Sequence, residues 1–229
     1  MRYLFVLIMS VLSYQISYSQ IYEVGVFLGG SNFIGDVGRT NFISPNQFAF
    51  GGIVKWNRSP RHSWRLSLLF SDIEAIDTKS DDPRREQRGL SFNSNVFEAS
   101  AGLEFTFLDF NLHDDKTKFT PYLYSGISLL SHEDFYFDNG GNLIDGDSSN
   151  LAIGIPLTLG IKTRFAYHFI LAAEIGARYT FSDNIDGSDP SDSDLASFRF
   201  GNINNNDWYV FSGITLTYTF GRKPCYCND

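Results

Sequence analysis

Alternation of apolar with small or polar residues runs through most of the chain, and this period-two pattern constrains the fold more than any other feature. It is clearest over residues 151–164, where Ile153, Ile155 and Leu157 alternate with glycine, proline and threonine. Successive side chains of a strand point to opposite faces, so this spacing predicts strands with one apolar and one polar face.

The same pattern predicts eight strands. They are expected near residues 22–28, 48–56, 64–70, 97–107, 119–130, 151–164, 169–181 and 208–220. The connections are short at 57–62, 108–118 and 165–168, and long and polar at 31–46, 72–95, 131–150 and 182–206. Short turns at one rim and long loops at the other are typical of outer-membrane barrels. We therefore predict an all-β fold, an eight-stranded antiparallel transmembrane β-barrel with long extracellular loops, short periplasmic turns and both termini in the periplasm.

Alternation alone does not decide which face points inward, because a soluble eight-stranded barrel has the same pattern with its apolar face inside. The composition of the polar face favours the membrane arrangement. Glycine suits a lumen just wide enough for side chains better than it suits a solvated strand surface. The glycines on this face are Gly25, Gly51, Gly102, Gly126, Gly154, Gly160, Gly176 and Gly213.

Charged residues on the polar face would then lie inside the barrel. The predicted lumen charge network consists of Glu23, Lys55, Arg65, Glu98, Glu104, Lys162, Arg164, Glu174 and Arg178. The two signs nearly balance, and a buried charge without a partner is costly, so we expect these side chains to form ion pairs. Paired in this way, they close the lumen instead of lining a pore.

The two ends of the chain carry separate signals. Residues 1–19 have the form of a signal peptide, with Arg2 before an apolar run and small residues before Gln20. The run is shorter than the ~20 apolar residues that span a bilayer as a helix. The expected organisation is a signal peptide at 1–19, an outer-membrane barrel at 20–220 and a periplasmic tail at 221–229.

Composition and motifs argue against several functions. A net charge of -8 argues against nucleic-acid binding, because phosphate recognition relies on clustered lysine and arginine. The histidines have no metal-ligand spacing and no nucleophile motif accompanies them, so we expect no catalytic residue, no metal site and no cofactor. A lipid-modifying barrel enzyme is the weakest alternative, and it would depend on His132 with Ser128 or Ser131 at the loop end of the fifth strand.

Two segments are rich in side-chain oxygen atoms, the raw material of a calcium site. They lie at 138–147 and 183–194, and neither fits the EF-hand pattern. Turn geometry and solvation explain both segments better. In the tail, Cys225 and Cys227 are too close for an unstrained disulfide, which leaves an intermolecular bridge, a redox role, metal capture or thiols without a function.

Several segments resemble the PorG family of Bacteroidota outer-membrane proteins. They are YEVGVFLGGSNFIGD at 22–36, FGG at 50–52, FTPYLYSGI at 119–127 and CYC at 225–227. The resemblance covers essentially the whole chain after residue 19. It implies a non-enzymatic component of the type IX secretion system, whose partners are outer-membrane lipid and a periplasmic ring built from a lipoprotein and its partner subunit.

The resemblance also implies how the barrel works: it anchors the ring through its periplasmic rim, and its lumen conducts no cargo. Basic residues at that rim are suited to docking an acidic partner, although the sequence alone favours ordinary solvated turn residues. The expected docking surface comprises Arg58, Arg61, Lys116, Lys118, Arg222, Lys223, Cys225 and Cys227. The alternative is a free-standing barrel whose acidic surface loops serve adhesion or ligand binding.

Overall fold

The computed structural model describes residues 21–112, 119–166, 168–190, 193–202 and 205–221. The predicted signal peptide and nearly all of the predicted tail lie outside these ranges. The strands are β1 (Ile21–Ile34), β2 (Gln47–Asn57), β3 (His62–Ile76), β4 (Ser91–Thr106), β5 (Phe119–Phe137), β6 (Leu143–Ala166), β7 (Phe169–Thr180) and β8 (Trp208–Gly221). Between β3 and β4 lie a 3₁₀ turn, Asp77–Lys79, and a short helix α1, Pro83–Arg88, while a second 3₁₀ segment, Ser193–Phe198, precedes β8.

The strands form a closed antiparallel barrel in sequence order. Each strand pairs with its neighbour along the chain, and β8 returns to pair with β1 from Ile21↔Gly221 to Ile34↔Trp208. Closure leaves the barrel without a free sheet edge, which a sheet inside a bilayer requires. The predicted fold class is confirmed.

The apolar faces point outward. On β6, the apolar residues Ile155, Leu157 and Leu159 are 44%, 53% and 60% exposed. On the polar face of other strands, Glu104 of β4 and Arg178 of β7 are 0% and 2% exposed. Burying a large aliphatic side chain is worth about 1.5–3 kcal/mol, so a belt of such residues facing water would be unstable. The belt therefore faces hydrocarbon. None of the helices in the described ranges is long and apolar enough to span a bilayer.

The strands extend farther at the loop side than the alternation predicted. The long connections shrink to residues 35–46, 77–90, 138–142 and 181–207, and the largest difference is at 131–150, where β5 and β6 continue as a hairpin that ends at Phe137↔Leu143. Beyond Gly154↔Thr180 this part of β6 no longer pairs with β7. A hairpin that extends above the membrane needs no apolar face toward lipid, so its sequence lacks the apolar–polar alternation that predicts a strand.

The interior differs from the prediction at the loop side. An apolar layer fills the barrel from its middle toward the loops, and its buried members include Phe27, Ile53, Leu69, Ile73 and Phe211. The glycines and charges of the polar face predict a polar lumen throughout. Stretches that are apolar on both faces, such as 68–70, indicate this second core, since a strand with lipid outside and a packed core inside shows no alternation.

Replacing Leu157 with lysine should destabilise the membrane-inserted barrel by about 2–4 kcal/mol, because the ammonium group would face hydrocarbon near the middle of the belt. The same replacement at Phe42, which lies in a loop and is 65% exposed, should change stability by about 0.5 kcal/mol or less. Guanidinium titration of the protein in lipid vesicles measures both changes. Equal effects at the two positions would contradict the lipid-facing assignment.

Candidate functional site

The predicted lumen charges converge inside the barrel. Glu23, Lys55, Arg65, Glu98, Glu104, Lys162, Glu174 and Arg178 are all between 0% and 4% exposed. Arg164 is the exception: it is half-buried near the turn end of β6, where its guanidinium donates to the Leu112 carbonyl. Arg164 pairs with the buried Ile170 at the last regular position before the register of β6 and β7 shifts, between Arg164 and Ala166, so its side chain lies at the turn-side mouth of the lumen.

Glu104 is the centre of the larger cluster, here called the turn-side network. Its carboxylate oxygens lie 2.6 Å from Lys55 Nζ and 2.7 Å from Lys162 Nζ, and Arg65 Nη1 lies 3.8 Å away. These cations come from β2, β6 and β3, so a single carboxylate on β4 connects distant parts of the barrel wall. Each ion loses several kcal/mol of hydration on burial, and only close pairing offsets that cost.

Glu174 completes the turn-side network. Arg65 forms a bidentate pair with it at 2.7 Å for both bonds, and the Tyr122 hydroxyl donates to the same carboxylate. Planar two-point pairing is the strongest geometry available between a guanidinium and a carboxylate. Lys162 also lies over the Tyr122 ring, 5.5 Å from its centroid. The network therefore fills this end of the lumen with oriented charge and aromatic surface.

A smaller loop-side network lies nearer the apolar interior. Arg178 Nε donates to Glu98 at 3.0 Å, and the Tyr209 hydroxyl donates to the same carboxylate at 2.8 Å. The guanidinium carbon of Arg178 lies 4.7 Å from the centroid of the Phe211 ring, so its face is covered by an aromatic side chain.

Glu23, near the start of β1, accepts hydrogen bonds from Asn57 and Thr217 at 2.9 Å each.

Lumen glycines make room for these side chains. A Cβ atom at Gly160 would overlap the Tyr122 ring, and one at Gly176 would overlap the Arg178 guanidinium and the Thr158 hydroxyl. A larger residue at either glycine would therefore displace the network. Small residues occur opposite large ones, as a narrow barrel requires.

The lumen is closed at the turn side as well. Residues 107–112 fold across this mouth, where Phe110 N donates to the Pro60 carbonyl at 3.1 Å and the Phe110 side chain is 6% exposed. Lys162 Nζ lies 5.0 Å from the centroid of the Phe110 ring. Filled by ion pairs and covered at its mouth, the described part of the barrel is a sealed cylinder.

At the opposite end the loops fold into what we call the loop cap, formed by residues 35–46, 77–90 and 181–190. Asp77, which is fully buried, accepts hydrogen bonds from Gly38 N at 2.8 Å, from Leu90 N at 3.0 Å and from Arg88 Nε at 2.7 Å. Arg85 Nη1 donates to the Gly38 carbonyl at 2.9 Å. One carboxylate therefore connects the first and second long loops.

Asp186 connects the first and fourth loops in the same way. Its carboxylate accepts from Asp36 N at 2.8 Å, from Val37 N at 3.1 Å and from Ser188 N at 3.0 Å. Burial raises the pKa of Asp186 above its ordinary value, and the hydrogen bonds from Ser188 and Val37 act in the opposite direction. The cap is thus held by buried carboxylates that accept backbone N–H groups.

Two further carboxylates at the cap have buried oxygens without such donors, although Asp207 Oδ2 accepts from Ile185 N at 2.9 Å. Within the described ranges, both side-chain oxygens of Asp183 and the Oδ1 atom of Asp207 are buried without a hydrogen-bond partner. Burial raises the pKa of Asp183 to about 7, with the charges of Asp186, Asp36 and Asp189 adding to the effect. Burial also raises the pKa of Asp207 well above its ordinary value, again beside Asp186. Protonation relieves the crowding of negative charge here.

The segments weighed as calcium ligands hold no metal-binding group in the part of the chain that the structure describes, where no three His, Cys, Asp or Glu side chains converge. Asp138 instead accepts hydrogen bonds from Gly140 N at 2.8 Å and Asn142 N at 2.9 Å, which is turn geometry. The Ser–His pairing has no lipid access, because His132 points into the barrel and is 2% exposed.

The structure places two of the predicted docking residues. Arg58 and Arg61 are both at the turn between β2 and β3, as expected, and Arg58 is exposed. Arg58 lies over the Trp56 ring at 5.0 Å, and Arg61 Nε pairs with Asp109 Oδ1 at 2.5 Å in a pair that is itself solvent-accessible. The others, Lys116, Lys118, Arg222, Lys223, Cys225 and Cys227, lie outside the described residues.

Comparisons with known proteins give a family and a set of similar folds. The model of a family described as "Domain of unknown function (DUF6089)" matches residues 2–229. No curated protein matches the chain.

Among solved structures, the N-terminal β-barrel domain of Pseudomonas aeruginosa OprF has a TM-score of 0.47 at 11% identity, with 89% of this chain and 98% of that one covered. A major outer membrane protein of Thermus thermophilus has a TM-score of 0.47 at 13% identity, with 89% and 100% covered. Yersinia pestis Ail, in complex with the heparin analogue sucrose octasulfate, has a TM-score of 0.45 at 9% identity, with 88% and 99% covered. At these identities the likeness is one of fold alone.

Replacing Glu104 with glutamine should destabilise the barrel by about 3–5 kcal/mol, because two buried ammonium groups would lose their nearest carboxylate. Combining it with Lys162→Met should recover part of the loss, since one uncompensated charge is removed. Denaturant midpoints in detergent micelles measure these effects. As a control, Arg61→Ala breaks an exposed pair and should cost about 1 kcal/mol or less; a similar cost for Glu104→Gln would contradict the central role of that carboxylate.

The loop cap should loosen as pH rises. With its pKa raised from 3.8 to about 7, Asp183 holds its proton more tightly in the folded cap than in an opened one, so its stabilising contribution is complete below about pH 4 and is lost as pH rises through 7. Amide hydrogen exchange in residues 181–190, corrected for intrinsic rates, should be faster at pH 8.5 than at pH 5.5, values that lie about 1.5 units either side of that pKa.

Asp183→Asn should remove most of this pH dependence. Asp138→Asn provides the control, because hydrogen bonds lower the pKa of that exposed carboxyl and it does not titrate in this range. Unchanged pH dependence in Asp183→Asn would contradict the assignment.

Proposed function

The chain belongs to the family described as "Domain of unknown function (DUF6089)", and from that premise we propose that it is a non-enzymatic outer-membrane barrel that anchors the periplasmic ring of a type IX protein secretion machinery. The ring and its two subunits, a lipoprotein and its partner, come from the resemblance of residues 22–36 and 119–127 to the PorG family.

The sealed lumen is the observation that carries the proposal. Glu104 with Lys55 and Lys162, and Glu98 with Arg178, occupy the axis that a channel would keep open. Opening a path through them would separate buried ion pairs, at about 3–5 kcal/mol for each charge left without its partner. A barrel built in this way acts through its outer surfaces, and anchoring needs only a stable membrane insert with a docking rim.

The turn side supplies the rim. Arg58 and Arg61 project from the turn between β2 and β3. Lys116, Lys118, Arg222 and Lys223 lie outside the described residues, and the sequence predicts that they belong to the same end of the fold. Exposed basic residues attract an acidic partner surface and orient it before contact. In this proposal the turn side faces the periplasm and binds the ring, while the loop cap faces the cell exterior.

The loop cap favours a second candidate, a surface barrel that binds a ligand or another cell. Asp77 and Asp186 hold three loops in one arrangement, so the cap is an ordered surface. Ordered loops can present a fixed binding surface at lower entropic cost than mobile ones. This candidate places the function at the opposite end of the barrel, which makes the two candidates separable.

Reversing charge at the turn side should disrupt the ring attachment. The double variant Arg58→Glu with Arg61→Glu should lower recovery of the ring lipoprotein with the purified barrel by about tenfold, equivalent to about 1.4 kcal/mol, and should reduce protein export from the native host. Deletion of residues 222–229 should act in the same direction.

The matched control is Lys79→Glu with Arg84→Glu, which makes the same charge change on residues of the loop cap. Barrel insertion is checked in every strain by heat-modified electrophoretic mobility. Normal ring recovery and export in the turn-side variants would overturn the anchoring function. Loss of surface binding in the loop-cap variants alone would support the second candidate.

A further inference from the structure

A groove opens on the lipid-facing side of the barrel at the loop-side end of the apolar belt. Pairing of β2 with β3 stops at Ala49↔Ser71, and pairing of β4 with β5 stops at Phe97↔Ser131, whereas β3 and β4 stay paired up to Ile76↔Ser91. The neighbouring strands thus diverge from the β3–β4 ribbon on both sides at the same level. The depression that results has a volume of about 490 Å³.

The membrane-side wall of the groove is a ladder of four phenylalanines. Their ring centroids are 6.0 Å apart for Phe48 and Phe50, 5.7 Å for Phe50 and Phe70, and 4.7 Å for Phe70 and Phe97. Phe50 and Phe70 lie across from each other in the register, beside Leu28 of β1, so the ladder continues the apolar belt. Stacked rings along three strands form a continuous apolar surface that fits an extended hydrocarbon chain.

The opposite wall is polar and negatively charged. It includes Gln47, Asp72, Asn95 and Ser131, and Asp72 is the one charged residue among the described residues that line the groove. Asp72 has no ion-pair partner in the described part of the chain, unlike the lumen carboxylates Glu98, Glu104 and Glu174. The acids next to it are engaged: Gln47 donates to Glu74, and Asn95 donates to Glu133 at 3.0 Å.

The position of Asp72 gives its charge more weight than it would have in water. It lies one outward-facing position beyond Phe70 on β3, at the boundary between the aromatic ladder and the polar band. Coulomb attraction strengthens as the effective dielectric constant falls toward hydrocarbon. A cation held there would gain a partner, whereas a phosphate group alone would be repelled by Asp72 and by the two neighbouring acids.

We propose that this groove binds a membrane lipid with an ammonium head group, its acyl chain lying along Phe48, Phe50, Phe70 and Phe97 and its ammonium group beside Asp72. The hydrocarbon around the belt supplies the chain, and charge complementarity selects the head group.

The test uses the full mature chain reconstituted in nanodiscs with equal amounts of phosphatidylethanolamine and phosphatidylglycerol of the same acyl chains. Native mass spectrometry of the protein released into detergent measures which lipid is retained. We expect about tenfold enrichment of phosphatidylethanolamine, and near-equal retention in Asp72→Asn. Phe70→Leu should weaken retention of both lipids.

Two control variants keep the outcome interpretable. Phe169→Leu alters a lipid-facing ring on β7, away from the groove, and Asp138→Asn removes a loop carboxylate; both should retain lipid as the unmodified chain does. Equal retention of the two lipids by the unmodified chain, or unchanged preference in Asp72→Asn, would show non-selective annular lipid and overturn the proposal. The proposal would also be overturned, in favour of a protein partner, if the unmodified chain shows no lipid preference and a lysine-rich peptide displaces the retained lipid.

Discussion

The pairing of charges along the barrel axis is the interaction on which the rest of the structure depends. Glu104 has two ammonium groups within 2.7 Å, and Arg65 connects it to Glu174. Because these groups have no access to bulk water, each must lie within reach of a partner, which constrains which strands face each other across the lumen. Once the charges are paired inside, the aliphatic faces can only point outward, and the barrel can exist only where those faces meet hydrocarbon.

The interior is divided along the axis. Ion pairs and Tyr122 occupy the turn side, the Glu98–Arg178 pair lies in between, and an apolar layer around Ile73 continues up to the loops. The loop cap rests on this apolar layer, and Ile185 of the fourth loop packs against it. Carboxylates inside that cap are then either satisfied by backbone N–H groups, as Asp186 is, or protonated more readily, as Asp183 is. Lumen and cap thus form one continuous packed body.

This division separates the surfaces available for function. With no open axis, the barrel presents a turn-side rim with exposed arginines, a folded loop cap and a lipid-facing belt interrupted by the groove at Asp72. In our proposals, anchoring of a periplasmic ring would use the first surface, ligand binding the second and lipid selection the third. The strands that connect these surfaces are hydrogen-bonded to one another in a closed barrel, so the whole wall carries a force applied at one rim.

The sequence by itself determined the strand number, the outward apolar face and eight of the nine lumen charges, because period-two alternation and the cost of burying lone ions act locally and leave a readable pattern. Only the tertiary structure decided which charges meet, that Arg164 lies outside the network, that β5 and β6 extend as a hairpin through 131–150, and that a second apolar core lies inside. Those features depend on shear, register and loop folding. They bring together residues far apart in sequence, such as Asp36 and Asp186, and leave no periodic trace in either segment.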